Sequence, residues 1–344
     1  MTLAGAAVLG AATALCVSAA LSGLVAWAGP VDRPRDRGLH KTPTPTAGGL
    51  GIIAGAALGL YVFAALAPAP LADLGKIAAA LGFAALLGLI GALDDLLDLG
   101  ARLKLGIQIA LSLLFAVAVA HIDAIPLTAA LTLPIGPVVG VIGTALWLVV
   151  VTNAVNFMDG ANGLASGALA IASLAFAAAA FAGGDPALGA AALTAALANI
   201  GFMPWNFPKA RLFQGDAGAV FTSFLLAALA VIGAGAGGHG PVYLQFAPLA
   251  LLPFLADVLL TLLSRAREKK RLLDAHKEHL YQRWLAHTGG SHLQLAARAY
   301  AVMLLYAAAA FSLRGAGPAV QIIGFLIGAA IAAAAWVWFR RRTA

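Results

Sequence analysis

Residues 74–98 read LGKIAAALGFAALLGLIGALDDLLD. An apolar run of about 20 residues is what an α-helix needs to cross a hydrocarbon core roughly 30 Å thick. Lipid offers the backbone no hydrogen-bond partner, so a crossing segment must satisfy itself as a helix. This run ends abruptly in Asp94-Asp95-Leu96-Leu97-Asp98. Acids placed at the end of a membrane span are costly, and the usual return for that cost is function.

The same pattern recurs along the chain. Of 344 residues, 62% are hydrophobic and only 10% charged, which excludes an ordinary soluble domain. Apolar blocks fall at about 3–28, 47–67, 74–93, 103–121, 137–155, 163–182, 187–204, 216–236, 243–264, 293–312 and 318–338. No alternating strand pattern accompanies them. The expected fold is therefore all-α: a single integral membrane domain over 1–344 with about 11 transmembrane helices and an active site on the cytoplasmic face. Residues 3–27 lack a basic leader, so the first block reads as a retained span and not a cleaved signal. Cys16 is the only cysteine, which leaves neither a disulfide framework nor a cysteine metal site.

Charge sets the orientation. Of the 21 Lys and Arg residues, all but Lys76 and Arg314 fall on one set of alternate loops or helix ends. Positive-inside bias makes that side cytoplasmic, with the N-terminus outside and the C-terminus inside. Cytoplasmic loops are then expected near 29–46, 94–102, 156–162, 205–215 and 265–292. The net charge of +7 reads as topology signal and contact with anionic lipid headgroups, not as a nucleic-acid surface.

Four of these loops gather carboxylates, carboxamides and basic residues, and the fifth, after span one, is basic. Asp94, Asp95 and Asp98 close span three, and Lys104 and Gln108 open span four. Helical spacing puts Asp94 and Asp98 on one face and Asp95 on another. Adjacent carboxylates in a low dielectric repel unless a cation neutralises them, and a few carboxylates with room for phosphate oxygens suit Mg²⁺. The competing reading is a solvated acidic loop that caps span four. Asn153, Asn156, Asp159, Gly160, Asn162 and Gly163 end span five and turn the chain into span six. A plain turn explains its glycines but not two carboxamides inside the apolar end of a span, because buried carboxamides need partners. Asp216, in Gln214-Gly215-Asp216-Ala217-Gly218, reads as a helix N-cap, as a metal ligand from a third loop, or as both at once. The loop after span one carries Arg33, Arg35, Arg37, His40, Lys41 and Thr46 among prolines; its basic groups suit a diphosphate, unless it is a solvated linker. Residues 274–284 read DAHKEHLYQRW. His276 and His279 lack a third ligand at zinc spacing, so phosphate contact by His279 with Arg283 is the better reading.

In this order and on these loops the motifs resemble the polyprenyl-phosphate N-acetylhexosamine-1-phosphate transferase family, across about residues 30–295. That resemblance implies transfer of an N-acetylated amino-sugar-1-phosphate from a UDP-sugar to undecaprenyl phosphate, with release of UMP. It also implies Mg²⁺ (with Mn²⁺ as an alternative) and a bacterial inner membrane, with a homodimer admissible. Asp94, Asp95 and Asp159 match the family's catalytic acids, and Asp216 matches its metal ligand, joined by Asp94 and Asp95. Lys41, Thr46, Lys104, Asn153, Asn156, Asn162, His279 and Arg283 are assigned to substrate. Two departures stand out. Asn162 replaces a second acid that family members often carry, and Tyr281 and Gln282 replace two histidines of a His-x-His-His-Arg motif. The latter form resembles the branch that starts lipopolysaccharide O-antigen and argues against the peptidoglycan translocase.

Elementary electrostatics fits this expectation. Attack of one phosphate on another requires several negative charges to be neutralised at the membrane interface. An ion- or proton-coupled transporter is the rival from another class, but it calls for acids near mid-membrane and broken helices, whereas here the acids collect at one interface. A lipid-binding scaffold without turnover is the other rival.

Overall fold

A computed structural model describes residues 1–32, 43–238, 240, 242–272, 274 and 276–343. The loop that holds Lys41 lies outside them. Among the described residues the chain is helical almost throughout: α1 (Leu3–Ala28), α2 (Gly49–Leu66), α3 (Leu74–Leu97), α4 (Ala101–Ala118), α5 (Gly136–Met158), α6 (Leu164–Ala182), α7 (Pro186–Asn206), α8 (Gly215–Ala234), α9 (Phe246–Ala250), α10 (Leu252–Arg267), α11 (Leu280–Thr288), α12 (His292–Leu313) and α13 (Pro318–Arg342). Ten of these are long and apolar enough to cross a membrane. The chain is an all-α polytopic membrane protein.

The expected ninth span differs. It is split into α9 and α10 at Leu251, because Pro253 in the first turn of α10 has no N–H to continue the α9 ladder and crowds the carbonyl four residues back. The two pieces still make one traverse together. Tyr243, just before α9, donates its hydroxyl to Ala310 O near the end of α12, while Asp257 in α10 meets the start of α11. Two small antiparallel hairpins are also present, β1 (Val31–Asp32) with β2 (Thr44–Pro45) and β3 (Ala124–Pro126) with β4 (Thr132–Pro134). Sequence patterning misses them because each strand has only two or three residues.

Helix α8 is the axis of the bundle. The 18-residue apolar window within it is completely buried, as expected of a helix that is hydrophobic all round. α3, α5 and α2 pack around it. Lipid tails are as apolar as the side chains, so such contacts rest on close packing of small residues. A Cβ on Gly49 would lie 2.0 Å from the Gly218 nitrogen, so only glycine lets α2 touch the first turn of α8. Asn199 of α7 adds a buried polar tie, donating to Thr222 Oγ1 of α8 at 3.1 Å. This packing fixes the N-terminus of α8, and with it Asp216, against the ends of α2 and α3.

Candidate active site

The ends of α3, α5 and α7 and the starts of α4 and α8 meet at one end of the bundle. Asp94 and Asp95 lie in the last turn of α3, Lys104 in the first turn of α4, and Asp216 in the first turn of α8. Ligand oxygens of Asp94, Asp95 and Asp216 all fall within 4.8 Å of one another. The Lys104 ammonium stands 2.5 Å from Asp94 Oδ2 and 3.1 Å from Asp216 Oδ2, and Asn156 donates to Asp216 Oδ1 at 2.9 Å. Among the described residues, three carboxylates thus face one ammonium. Two unit charges 4.8 Å apart repel by about 3.5 kcal/mol at an effective dielectric of 20. Asp94 Oδ1 and Asp95 Oδ2 are buried without any hydrogen-bond partner. Orphaned, hard, anionic oxygens converging in this way suit a divalent cation such as Mg²⁺.

Three local expectations change. Asp98 does not share the Asp94 site. It takes a left-handed conformation (φ 53°) as the C-cap of α3, so the helical spacing stops before it. The acidic turn does not cap α4, whose N-cap is Gly100. Nor is Asp216 an N-cap, since Gln214 holds that position in α8 and leaves the Asp216 carboxylate to the cluster.

Two distant segments are laced together beside the carboxylates. Phe213 N–H donates to Pro45 O, and the Gly48 and Gly49 amides donate to Phe213 O and Gln214 O, all at 2.8–2.9 Å. Gly215 has φ +66°, and a Cβ there would sit 2.0 Å from Asp95 Oδ2, so conformation and space both demand glycine. The result is a polar cavity of about 300 Å³, walled by Thr46, Asp95, Asn156, Asp159, Asn162 and Gln214 among others. Burial pushes the Asp159 carboxyl well above the usual carboxylate range; the Gln214 side chain opposes the shift, and the Asp216 and Asp95 charges add to it. Asn162 donates to Pro208 O at 3.2 Å, and Asn206 accepts from Gly163 N–H at 2.6 Å, which pins the turn after α5 to the segment after α7.

A second, mostly apolar cavity of about 540 Å³ opens between α4, α5 and α10. Lys104, Asn153 and His279 line it, and Asn156, Asp216 and Gln282 belong to both walls. Asn153 is held by donating to Gln108 Oε1 at 2.6 Å and Val149 O at 2.8 Å. The His279 ring lies between Phe157 (centroids 5.9 Å) and Tyr281 (6.3 Å), with His276 at 4.8 Å. Its place is set by Asp257, a 5% exposed acid of α10 that accepts the Leu280 N–H on both oxygens at 2.9 and 3.0 Å. Thr261 donates to the same carboxylate at 3.2 Å and receives the Trp336 indole N–H at 3.3 Å. Tyr281 donates to Phe157 O at 3.2 Å, and burial pushes its phenol above the ordinary tyrosine range. Of the two residues that depart from the family motif, Tyr281 thereby fastens α11 to the last turn of α5, and Gln282 donates to the Tyr281 hydroxyl at 3.1 Å.

Arg283 is placed elsewhere. Its guanidinium donates to Thr343 Oγ1 at 3.0 Å and Thr343 O at 2.6 Å, which ties α11 to the end of α13, and it lines neither cavity. Gln108, Asn206, Gln214, Gln282 and His292 enter the cavity walls or their supports without having been singled out from sequence as site residues. Their one signal is a carboxamide or imidazole next to an apolar span, where it must find a partner.

The match to known proteins agrees with this geometry. Residues 77–234 match the model of glycosyl transferase family 4. The chain is 31% identical over 289 residues to decaprenyl-phosphate N-acetylglucosaminephosphotransferase of Mycobacterium tuberculosis, covering 77% of this chain and 70% of that one. It is 26% identical over 313 residues to a probable undecaprenyl-phosphate N-acetylglucosaminyl 1-phosphate transferase of Bacillus subtilis (88% and 83%). With the undecaprenyl-phosphate alpha-N-acetylglucosaminyl 1-phosphate transferase of Thermotoga maritima it shares 31% identity over 257 residues (74% and 73%). With its acids drawn together at one end of an all-helical bundle and these similarities along most of its length, the chain belongs to the polyprenyl-phosphate N-acetylhexosamine-1-phosphate transferase family.

Proposed function

We propose that this protein transfers an N-acetylated amino-sugar-1-phosphate from a UDP-sugar to undecaprenyl phosphate and releases UMP. It would thereby start a cell-surface polysaccharide at the inner membrane of a bacterium, with the acidic cluster on the cytoplasmic side. The His279-x-Tyr281-Gln282-Arg283 form favours lipopolysaccharide O-antigen as that polymer.

One observation carries the reading: a polar cavity and an apolar cavity share a wall at Asn156, Asp216 and Gln282. A charged nucleotide sugar suits the first and a prenyl chain the second, so the two reacting phosphates meet beside Asp216. An oxygen of the lipid phosphate attacks the β-phosphorus of the donor. The new P–O bond forms as the bond from that phosphorus to the bridging oxygen breaks, and the electron pair leaves on UMP. Asp94 and Asp95 orient the acceptor phosphate and take any proton it carries, while Lys104 neutralises charge at the junction. Asp159, Asn156, Asn162 and Thr46 line the donor side, and His279 holds the acceptor phosphate on the other. Asp94, Asp95 and Asp216 would hold Mg²⁺, or Mn²⁺ in its place, which would supply further charge neutralisation.

The break in the ninth traverse supports no transporter, because the residues at it, Leu249 to Leu252, are apolar and buried. The direct test compares wild type with Asp216→Asn in purified membranes given UDP-N-acetylglucosamine and undecaprenyl phosphate. Mg²⁺-dependent UMP release should vanish in the variant while the protein remains folded by thermal melt; unchanged release would remove Asp216 from its role. A panel of UDP-amino-sugars, read by mass of the lipid product, identifies the donor.

A further inference from the structure

A third cavity, of about 560 Å³, lies at the opposite end of the bundle, bounded by α5, α8, α9, α13 and the β3–β4 hairpin. We propose that it receives the distal isoprene units of the polyprenyl acceptor and so sets the tail length the protein prefers. This rests on the acceptor lying in the apolar cavity beside Lys104.

Its chemistry narrows the occupant. The lining is aliphatic and aromatic except for Thr144 and Gln245, and the Thr144 hydroxyl is already engaged, accepting the Ile122 N–H at 3.2 Å. A polar ligand would find the Gln245 carboxamide to replace few of its hydrogen bonds to water, so the occupant is mainly hydrocarbon. A phospholipid acyl chain would bring a phosphate-bearing headgroup to this end. The basic residues assigned to that side are Lys76 and Arg314, and neither lines the cavity.

Continuity identifies the hydrocarbon. Gly143 and Trp147 line this cavity, and Val150 and Ala154 line the one beside the carboxylates. Their spacing of i, i+4, i+7 and i+11 puts all four on one stripe of α5, about 16 Å long at 1.5 Å per residue. Trp147 stands at the junction, its indole N–H fixed on Ala227 O of α8 at 3.1 Å. A tail that enters beside Lys104 and follows α5 past Trp147 arrives at the far cavity. The relatives' acceptors are decaprenyl and undecaprenyl phosphates by name, tails long enough to need a path beyond the first cavity.

Gly143 provides the test, because a Cβ there meets nothing within 4 Å and replacing glycine inside a helix favours the helix. Gly143→Leu therefore narrows the far cavity without disturbing the fold. Gly82→Leu on α3, equally open and lining neither cavity, is the control. kcat/KM is measured in nanodiscs for wild type and both variants with geranylgeranyl and undecaprenyl phosphates. Gly143→Leu should lower kcat/KM for the long acceptor by about three- to tenfold and leave the short one unchanged. The effect is modest because the tail exchanges one hydrocarbon surrounding for another and only packing is at stake. An equal loss on both acceptors, no loss on either, or the same loss in Gly82→Leu would overturn the proposal. Absence of transfer to any polyprenyl phosphate by wild type would instead refute the acceptor reading beneath it.

Discussion

Lys104 and Asp216 stand 112 positions apart in the chain and 3.1 Å apart in space. The same ammonium touches Asp94 at 2.5 Å, so one lysine screens two of the three carboxylates that would bind a cation. Lysine and cation therefore share anionic oxygens, and removing the lysine should strengthen the cation's hold while weakening the chemistry. Lys104→Gln is expected to lower the apparent Kd for Mn²⁺, followed by paramagnetic broadening, and to cut turnover by about a hundredfold, the scale of losing one preorganised charge-stabilising group. Weaker Mn²⁺ binding in the variant would show that Lys104 supports the cluster rather than competing for it.

Asp257 is a carboxylate buried in α10 whose oxygens hold the first N–H of α11. Asp257→Ala should leave that donor unsatisfied and cost about 1–3 kcal/mol, concentrated where α10 hands over to α11. Asp257→Asn keeps an acceptor oxygen and should recover most of the loss. Limited proteolysis between residues 268 and 279 reads the local opening, and the KM for the acceptor reads the displacement of His279. Equal protease resistance of wild type and the alanine variant would place the anchoring of α11 elsewhere.

The parts of this protein readable in its sequence are those that lipid dictates. A span must be helical and about 20 residues long, so the boundaries of α1, α6, α7 and α13 follow from hydropathy. An acid at a span end stands out against an apolar background, which makes Asp94, Asp95, Asp159 and Asp216 visible. Hydropathy is blind to hydrogen bonding, so the break at Leu251 escapes it: Pro253 sits in a leucine-rich run whose mean hydropathy it barely alters, yet it removes a ladder donor. Side-chain direction is equally hidden. Arg283 stands in a motif that promises phosphate, but its guanidinium reaches the carbonyl of Thr343 because α13 returns to this end of the bundle. Gln108 and Gln214 gain meaning only when α4 meets α5 and α8 meets α2, contacts that no local spacing encodes.

His276 provides a pH-dependent test of the segment before α11. Burial, then the neighbouring His279 and Arg265, lowers its pKa from 6.5 to about 4, with Glu278 opposing and Lys270 adding a little. The neutral ring accepts the Glu278 N–H at 3.4 Å, a contact that protonation abolishes. Since the folded pKa lies below the unfolded one, the unfolded chain binds more protons between these values, and stability must fall as pH drops through that window. Above pH 6.5 this residue contributes no slope. His276→Gln, which keeps an acceptor but cannot titrate, should therefore flatten the decline in melting temperature between pH 6.5 and 4 and leave the curve above 6.5 parallel to wild type. If both proteins lose stability identically over that range, the acid sensitivity belongs to groups other than this imidazole.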